Sequence, residues 1–586
     1  MFKLFKNFTK KDIGMIIVSI VLVVFQVWLD LKLPDYMSAI TRLVQTDGAA
    51  MADILRQGGY MLLCAFGSLI SACIVGFLAS NLSANFSYTL RSKVYNKVLN
   101  LSTAEVKQFQ TSSLITRTTN DITQLEMLIS IGLQLLIKAP IMAVWAITKI
   151  LNKSIEWSML TAGCVVILLC VVIGLMLIVL PRFEKVQKLI DKINNVTRES
   201  ITGIRVIRAF NAEKYQENRF EKVNDDLTNM QLFNQKCFAI LNPIMMLVMN
   251  GLTLGIYVIG TYLINNAIIS VKISLFSDMV IFSSYGIQVI MSFLMLAMIF
   301  MMWPRAQISA RRINEVLDCK VSIKDGKDDI KPTEVGTVEF KNVSFKYPDA
   351  DEYLLRNISF KVNKGETIAF IGSTGSGKSS LINLVPRFYD ATDGEVLVDG
   401  VNVKNYSLEE LHNKLGYIPQ KAVMFTGTVK SNVAYGTKKG KKPSDKKVDE
   451  AINIAQAEEF VSKMEGGLDA HIARGGTNVS GGQKQRLAIA RSIARDPEIY
   501  IFDDSFSALD YKTDATLRSE LKKYTKDATS MIVAQRIGTI INADKIVVLD
   551  KGTCVGIGTH QELLKNCEVY KEIALSQLSK EELENA

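Results

Sequence analysis

The stretch Gly372-Ser-Thr-Gly-Ser-Gly-Lys-Ser379 decides the fold of the C-terminal half of the chain. It matches the pattern G-x-x-x-x-G-K-[ST] in full, between an apolar run, Thr367–Ile371, and a stretch of helical pattern, Ser379–Leu384. Glycines at these positions let backbone N–H groups surround phosphate oxygens, and the N-terminus of the following helix adds a favourable dipole. We expect Lys378 to contact the β- and γ-phosphates of a nucleotide and the Ser379 hydroxyl to ligate Mg²⁺. The motif therefore predicts a P-loop nucleotide-binding domain.

The sequence around this motif is typical of an α/β domain, because short apolar runs alternate with helical stretches from Val335 onward. We predict strands at Val338–Phe345, Glu366–Ile371, Glu395–Val398, Ile499–Phe502, Met531–Ala534 and Lys545–Leu549. Asp503 and Asp504 directly follow the fourth of these strands. An acidic residue at the end of an apolar strand holds Mg²⁺ beside a phosphate loop in such domains, and we assign that role to Asp503.

The N-terminal half has a different character, which the average composition conceals. Of the 586 residues, 48% are hydrophobic and 22% are charged, close to the values of an ordinary soluble protein. Five long runs nevertheless carry no charge: Ile13–Leu29, Gln57–Leu90, Ser158–Pro181, Phe238–Ile264 and Met279–Met302. Each reaches the roughly 17–18 residues that a helix needs to cross a bilayer. A sixth run, Ile131–Leu151, contains Lys138 and Lys149. We expect Lys138 toward the cytoplasmic edge of the membrane. We count this run as a span because an even number of spans brings the chain back to the side of the membrane on which it began.

The excess of Lys and Arg over acidic residues is distributed as expected for a chain that crosses a membrane through these spans. The net charge is +10, and Lys3, Lys6, Lys10 and Lys11 precede the first span. The expected inside loop 182–236 holds eleven Lys and Arg, whereas the expected outside loops 30–56, 152–157 and 266–278 together hold five. Basic residues concentrate on the cytoplasmic side of membrane proteins. We therefore predict a multi-pass cell-membrane protein with six spans and both termini in the cytoplasm, and no nucleic-acid partner.

The stretch Val479-Ser-Gly-Gly-Gln483, followed by Lys484-Gln-Arg486, resembles the signature motif of ATP-binding cassette (ABC) transporters. Other motifs of that family stand in the expected order: Tyr347 resembles the aromatic A-loop residue, Gln420 the Q-loop glutamine, and Ser507–Asp510 the D-loop. Nearly the whole chain resembles an ABC exporter subunit. The resemblance implies an all-α six-helix transmembrane domain (type IV, or ABC exporter, fold) fused to an α/β P-loop ATP-binding cassette. One such chain is half a transporter.

The resemblance also implies a role for each motif residue in an ATPase that uses ATP and Mg²⁺. ATP is bound by Tyr347, Gly372, Ser373, Thr374, Gly375, Ser376, Gly377, Lys378, Ser379 and Ser380. Mg²⁺ is held by Ser379, Gln420 and Asp503, and catalysis involves Gln420, Asp504 and Gln535. The signature residues Val479, Ser480, Gly481, Gly482 and Gln483 face the ATP bound by the partner subunit. The D-loop comprises Ser507, Ala508, Leu509 and Asp510.

Two of these positions depart from the family pattern. The residue after the Mg²⁺-binding aspartate is usually Glu but here is Asp504, and the switch residue is usually His but here is Gln535. The chain has three histidines, His412, His471 and His560, and none is placed to substitute. These changes suit either a slow but working site or a degenerate site that binds ATP and hydrolyses it poorly. We favour the second interpretation, which resembles the pattern of heterodimeric bacterial multidrug exporters. Arg474, where most exporters carry Glu, indicates an altered partner surface.

We accordingly expect a transmembrane domain at residues 1–318, a linker at 319–334 and a nucleotide-binding domain at 335–586. Stretches near Ser112–Arg117 and Ala212–Tyr215 resemble the coupling helices of the family. The expected function is one half of a heterodimeric exporter of hydrophobic small molecules, in a bacterial plasma membrane. A lipid or peptide exporter of the same fold stays open, and an ATP-gated regulatory membrane protein is a third alternative.

Overall fold

The computed structural model describes residues 2–6, 8–46, 48, 50–151, 155–326, 332–436, 438 and 440–578. The chain divides by its internal contacts into two compact units. The first comprises Met1–Leu99 and Thr111–Cys319, and the second Asn100–Gln110 and Lys320–Ala586. Of the expected linker 319–334, Cys319 falls in the first unit, residues 320–326 and 332–334 fall in the second, and residues 327–331 lie outside the described residues. Segment 100–110, which we expected in the transmembrane domain, also packs within the second unit.

The first unit is built from helices wherever the structure describes it. They are α1 (Phe2–Phe5), α2 (Lys10–Gln45), α3 (Met51–Leu99), α5 (Thr111–Thr118), α6 (Asn120–Leu151), α7 (Ile155–Thr202), α8 (Ile204–Ala209), α9 (Glu213–Asn266) and α10 (Ile269–Asp318); α4 (Thr103–Phe109) belongs to the second unit. Within the described residues, six of these segments are long and apolar enough to cross a membrane: α2, α3, α5–α6, α7, α9 and α10. The six-span prediction is confirmed, including the run interrupted by two lysines.

Partly buried ion pairs join neighbouring helices of this unit. Lys138 of α6 lies 3.0 Å from Asp30 of α2, and Ser68 of α3 donates to the same carboxylate. Lys149 lies 2.9 Å from Asp35, which also accepts a hydrogen bond from Tyr285 at 2.7 Å. Helix α2 continues beyond Asp30 to Gln45. Because the ion pair places Asp30 and Lys138 at one level, the expectations that Asp30 lies at the outer end of its span and that Lys138 lies toward the cytoplasmic edge cannot both hold.

The second unit contains two main sheets. The strands are β1 (Val338–Phe345), β2 (Leu355–Val362), β3 (Thr367–Gly372), β4 (Asp393–Val398), β5 (Val401–Asn402), β6 (Leu415–Ile418), β7 (Gly427–Thr428), β8 (His471–Ile472), β9 (Ile499–Asp503), β10 (Thr529–Val533), β11 (Lys545–Asp550) and β12 (Thr553–Gly558). One sheet has the order β12-β11-β3-β10-β9-β6 and is parallel except for β12. The other is antiparallel with the order β2-β1-β4-β5. Every predicted strand is present.

The helices of this unit complete the α/β architecture. They are α11 (Lys378–Ile382), α12 (Leu408–Lys414), α13 (Val429–Val433), α14 (Asp445–Ile454), α15 (Glu458–Ser462), α16 (Gly481–Arg495), α17 (Tyr511–Tyr524), α18 (Ile537–Ile540), α19 (His560–Asn566) and α20 (Glu568–Leu575). Inward-facing residues of both sheets, such as Phe340, Phe360 and Phe370, share one buried cluster. Such alternation of buried strands and helices is what the sequence pattern predicts.

The strand order places the motif residues at one edge of the parallel sheet. Strands β3, β10 and β9 are neighbours, and they end at Gly372, Val533 and Asp503. The carboxyl ends of parallel strands meet at the same edge, where ligands of open α/β sheets bind. The phosphate loop, the Asp503–Asp504 pair and Gln535 therefore converge although they are far apart in the sequence.

Candidate ATP-binding and hydrolysis site

The phosphate loop has a backbone that only glycine tolerates at key positions. Gly375 and Gly377 have φ of +85° and +95°, in the left-handed region. A Cβ added to Gly372 would lie 2.0 Å from the backbone oxygen of Leu549 on the neighbouring strand. The glycine spacing read from the sequence thus has a steric cause, and Gly377 directly precedes helix α11 as its N-terminal cap.

Lys378 reaches back across this loop. Its ammonium donates to the backbone oxygens of Gly372 and Ser373, both at 2.8 Å. Burial lowers the pKa of this lysine, while the charges of Asp504 and Asp503 act in the opposite direction. A half-buried ammonium group beside backbone groups suits the binding of a phosphate chain. The phosphates carry full negative charge, whereas the carbonyl oxygens that now accept from Lys378 carry only partial charge.

Ser379 and Asp503 meet where the sequence placed a Mg²⁺ site. The Ser379 hydroxyl donates to Asp503 Oδ1 at 2.7 Å, and the Tyr417 hydroxyl donates to Oδ2 at 3.4 Å. Burial raises the pKa of Asp503, and these two hydrogen bonds oppose the rise. A hydroxyl and a carboxylate oxygen at contact distance are the hard oxygen ligands that Mg²⁺ prefers. The residues therefore fit Mg²⁺, and a bound ion would offset the charge of phosphate oxygens.

Asp504 is buried and is held by both of the other residues expected in catalysis. Its Oδ2 accepts hydrogen bonds from Gln420 Nε2 at 3.0 Å and from Gln535 Nε2 at 2.6 Å. Its backbone has φ of +48°, and its N–H donates to Val533 at the end of β10. The structure thus brings together all three residues predicted for catalysis. Both donors are amides, and an amide cannot take up a proton near neutral pH as imidazole can.

The side chain of Tyr347 lies beside the first turn of α11, the helix that follows the phosphate loop. Its hydroxyl is 2.8 Å from the hydroxyl of Ser380. The ring meets Phe345 and Tyr389 edge to face, with centroid distances of 5.0 and 5.2 Å. These contacts fix the orientation of the ring next to the loop, as a platform for a nucleotide base requires.

The signature residues begin helix α16. Ser480 caps this helix through a reciprocal pair of hydrogen bonds with Gln483, and both Ser480 and Gly481 are exposed. A Cβ on Gly482 would lie 3.1 Å from the backbone oxygen of Ala508 in the D-loop. The neighbouring Ser507 hydroxyl donates to the backbone oxygen of Asp504 at 3.0 Å. The D-loop therefore connects the signature helix to the catalytic carboxylate by direct contacts.

Two residues of this site, Tyr417 and Tyr389, are not among those predicted from the sequence. Tyr417 lies on β6, whose parallel pairing with β9 brings it to Asp503. Its position three residues before Gln420 is a sequence feature that points to this site, but strand β6 is not among the predicted strands. Tyr389, which supports the Tyr347 ring, has no sequence signal because it follows α11 in an irregular stretch. Arg474 lies in a short exposed turn, and nothing in the structure explains its charge.

Comparison with known proteins agrees with this geometry. Residues 16–293 match the family model described as the ABC transporter transmembrane region, and residues 355–507 match the model described as ABC transporter. The chain is 37% identical over 554 residues to an uncharacterized ABC transporter ATP-binding protein of Mycobacterium tuberculosis, covering 92% of this chain and 93% of that protein. The chain belongs to the ABC transporter family, and its second unit is the ATP-hydrolysing domain of that family.

Relatives with more specific names are also similar over most of their length. An ATP-dependent lipid A-core flippase of Mannheimia succiniciproducens is 30% identical, with 86% of this chain and 85% of the relative covered. A Bacillus subtilis protein named as a multidrug resistance ABC transporter is 31% identical, with 82% and 81% covered. A solved bacterial Atm1-family ABC exporter with ATP bound has a TM-score of 0.81 at 24% identity, covering 96% of this chain and 99% of that one. The chain therefore has the fold of an ABC exporter.

We predict that Lys378→Met weakens ATP binding by about 10- to 100-fold, the worth of one charge-assisted hydrogen bond to phosphate. The native contacts of Lys378 are to backbone oxygens of its own loop, so the variant should remain folded. Titration with a fluorescent ATP analogue measures the change, and Lys364→Met, at an exposed lysine, is the matched control. Equal affinity of the wild-type chain and Lys378→Met would contradict the assignment of the phosphate loop.

Proposed function

We propose that this chain is one subunit of a heterodimeric ATP-driven exporter that moves hydrophobic compounds out of the cytoplasm, and that its own ATP site hydrolyses poorly. One observation carries the proposal: the carboxylate of Asp504 is fixed by two amide side chains, Gln420 and Gln535. The family places a glutamate and a histidine at the positions of Asp504 and Gln535. The shorter acid at position 504 and the absence of imidazole at position 535 affect the same chemical step, the attack of water on the γ-phosphate.

The chain's own residues bind ATP and hold it. Lys378 and the loop N–H groups contact the phosphates, the Tyr347 ring stacks on the base, and Ser379 with Asp503 and Gln420 holds Mg²⁺. Asp504 is shorter than glutamate by one methylene group, which withdraws its carboxylate by up to about 1.5 Å from an attacking water. Misplacement by about 1 Å can cost on the order of 10²-fold in rate. ATP bound here would keep the two cassettes together through many cycles.

The second ATP site combines this chain's signature with the partner's catalytic residues. Ser480 and the N–H groups of Gly481 and Gly482 form the positive end of the 15-residue helix α16, which favours a γ-phosphate. The exposure of Ser480 and Gly481 supports their use on a nucleotide held by another subunit. The partner would supply the glutamate and the histidine that this chain lacks, so that efficient hydrolysis takes place opposite an intact signature.

The helical unit offers a second reason for a partner chain. The segment from α8 to the first turn of α9 exposes apolar side chains, with Phe210 78%, Tyr215 67% and Val206 61% exposed. Clustered exposed apolar groups mark interaction surfaces. This segment lies within the basic loop 182–236, whose charge supports a cytoplasmic position, with both termini on the same side. The stretch Ala212–Tyr215 would then serve in the coupling of ATP binding to alternating access.

The substrate class rests on the character of the helices and on two relatives. Met245 and Met249 pack at the edge of the buried helix cluster that contains Val248, and adaptable methionine surfaces suit varied apolar ligands. The multidrug and lipid-flippase names of two relatives support hydrophobic compounds and leave lipid or peptide export as the alternative. An ATP-gated regulatory protein would show nucleotide-dependent closure without substrate movement.

Transport by the purified complex, reconstituted in vesicles with its co-purified partner, tests the proposal. We expect ATP-dependent movement of a hydrophobic dye, and loss of that movement in a complex carrying Lys378→Met in this subunit together with the equivalent change in the partner. A labelled phospholipid and a labelled hydrophobic peptide, run in parallel, separate drug export from the alternatives. ATP hydrolysis without movement of any of the three would contradict export.

A further inference from the structure

Helix α4 packs with the ATP-binding unit, although the membrane helices α3 and α6 precede and follow it in the chain. Ser102 caps α4 together with Glu105. Glu105 is buried, and its Oε1 accepts a hydrogen bond from the backbone N–H of Ser322 at 3.2 Å. Burial alone would raise the pKa of Glu105, but hydrogen bonds from Ser102 and Ser322 outweigh it and the pKa is lowered. The helix is therefore anchored by an ionised, hydrogen-bonded carboxylate.

The anchored helix directs Lys107 onto the aromatic residues of the site. Its ammonium lies 5.5 Å from the centroid of the Tyr347 ring and 5.7 Å from that of Tyr389. The Tyr389 hydroxyl is buried without a hydrogen bond of ordinary geometry, and its interaction with Lys107 raises the pKa of the lysine. Lys107 is thus charged at neutral pH. A cation within about 6 Å of an aromatic centroid is attracted to the ring face.

The same ring is the one on which the nucleotide base stacks in the proposed function, and the inference rests on that assignment. A base and an ammonium group cannot cover the same face of one ring. We propose that Lys107 occupies the stacking face of Tyr347 in the nucleotide-free chain and that a purine nucleotide must displace it. Lys107 is then a positioning residue that lowers the affinity for the nucleoside part of ATP.

Binding of ATP and of inorganic tripolyphosphate to the full-length chain tests this inference. Lys107→Met keeps the length of the side chain and removes its charge. We expect it to tighten ATP binding by about 3- to 30-fold, the worth of a cation–π contact, and to leave tripolyphosphate binding unchanged because that ligand has no base. Lys324→Met, at an exposed lysine in the same unit, is the matched control and should change neither affinity.

Tyr347→Ala separates the inference from the proposed function. If this variant weakens ATP binding while Lys107→Met leaves it unchanged or weakens it, the displacement of Lys107 is wrong and the base platform stands. If Tyr347→Ala leaves ATP binding unchanged, the platform assignment fails and the inference fails with it. A gain in affinity for tripolyphosphate in Lys107→Met would also overturn the inference, because it would indicate a general effect of charge on the site.

Discussion

Replacing Asp504 by Glu together with Gln535 by His should raise the ATP turnover of the purified chain by about 10- to 100-fold. The estimate follows from the rate lost when a reacting group is displaced by about 1 Å. In the native chain, the Asp504 carboxylate is drawn toward two amide groups at 3.0 and 2.6 Å. The added methylene group returns the carboxylate toward the phosphate loop, and imidazole restores a group that can carry a proton. The turnover is measured as phosphate release.

The single variants and a binding-deficient variant control this result. Because Asp504 and Gln535 are in direct contact, their effects should not add, and each single change should give less than its share of the gain. Lys378→Met in the double-variant background should abolish the gain, which excludes a contaminating ATPase. Wild-type turnover that equals that of the double variant and clearly exceeds the Lys378→Met background would mean that the native pair is competent, and the degenerate-site interpretation would then be wrong.

Removing the charge of Lys138 should destabilise the helical unit by about 1–3 kcal/mol, because it leaves the partly buried carboxylate of Asp30 without its partner. Lys138 and Asp30 have exposed side-chain fractions of 21% and 17%. At 1.5 Å per residue, Asp30 lies about 22 Å before the end of α2 and Lys138 about 20 Å before the end of α6. Both charges are therefore in the middle part of their helices and partly buried, and a carboxylate in such a position is destabilised when it loses its partner.

Thermal unfolding of Lys138→Met in lipid nanodiscs measures this effect. The variant Asp30→Asn/Lys138→Met, which removes both charges, should recover most of the lost stability. Lys32→Met is the matched control, since its ammonium is 4.0 Å from Asp35 and more exposed, so it should change stability by less than about 1 kcal/mol. If Lys138→Met is as stable as the wild-type chain, the pair does not hold α2 and α6 together.

The elements that the sequence predicts well have local causes. The run before Gly372 is continuously apolar, as expected of a parallel strand buried on both faces, and the glycine spacing follows from backbone angles that other residues avoid. Five of the six spans follow from uncharged runs long enough for a bilayer and the sixth from an apolar run that contains two lysines, and the structure has a helix of suitable length and composition for each. The ends of β9 and β10 differ by at most two residues from their predicted positions, since apolar runs define buried parallel strands.

The features that the sequence does not predict depend on contacts between distant parts of the chain. The packing of Lys107 against Tyr347 joins residues in separate parts of the sequence and has no periodic signal. The packing of α4 within the ATP-binding unit also depends on a distant contact, the hydrogen bond from the backbone N–H of Ser322 to Glu105. The resemblance of Ser112–Arg117 and Ala212–Tyr215 to coupling helices stays a prediction. The hydrogen bonds of Asp504 to Gln420 and Gln535 cannot be predicted without the order of the strands in the sheet. The motifs alone identify Asp504 and Gln535 as candidate site residues.

The subunit composition of the complex isolated from its native membrane tests the central claim most directly. An affinity tag on this chain and native mass spectrometry of the purified complex identify the two half-transporters. We predict one copy of this chain and one copy of a different ABC subunit, which carries Glu after its Mg²⁺-binding aspartate and His at its switch position. A complex of two copies of this chain that hydrolyses ATP rapidly would contradict the claim.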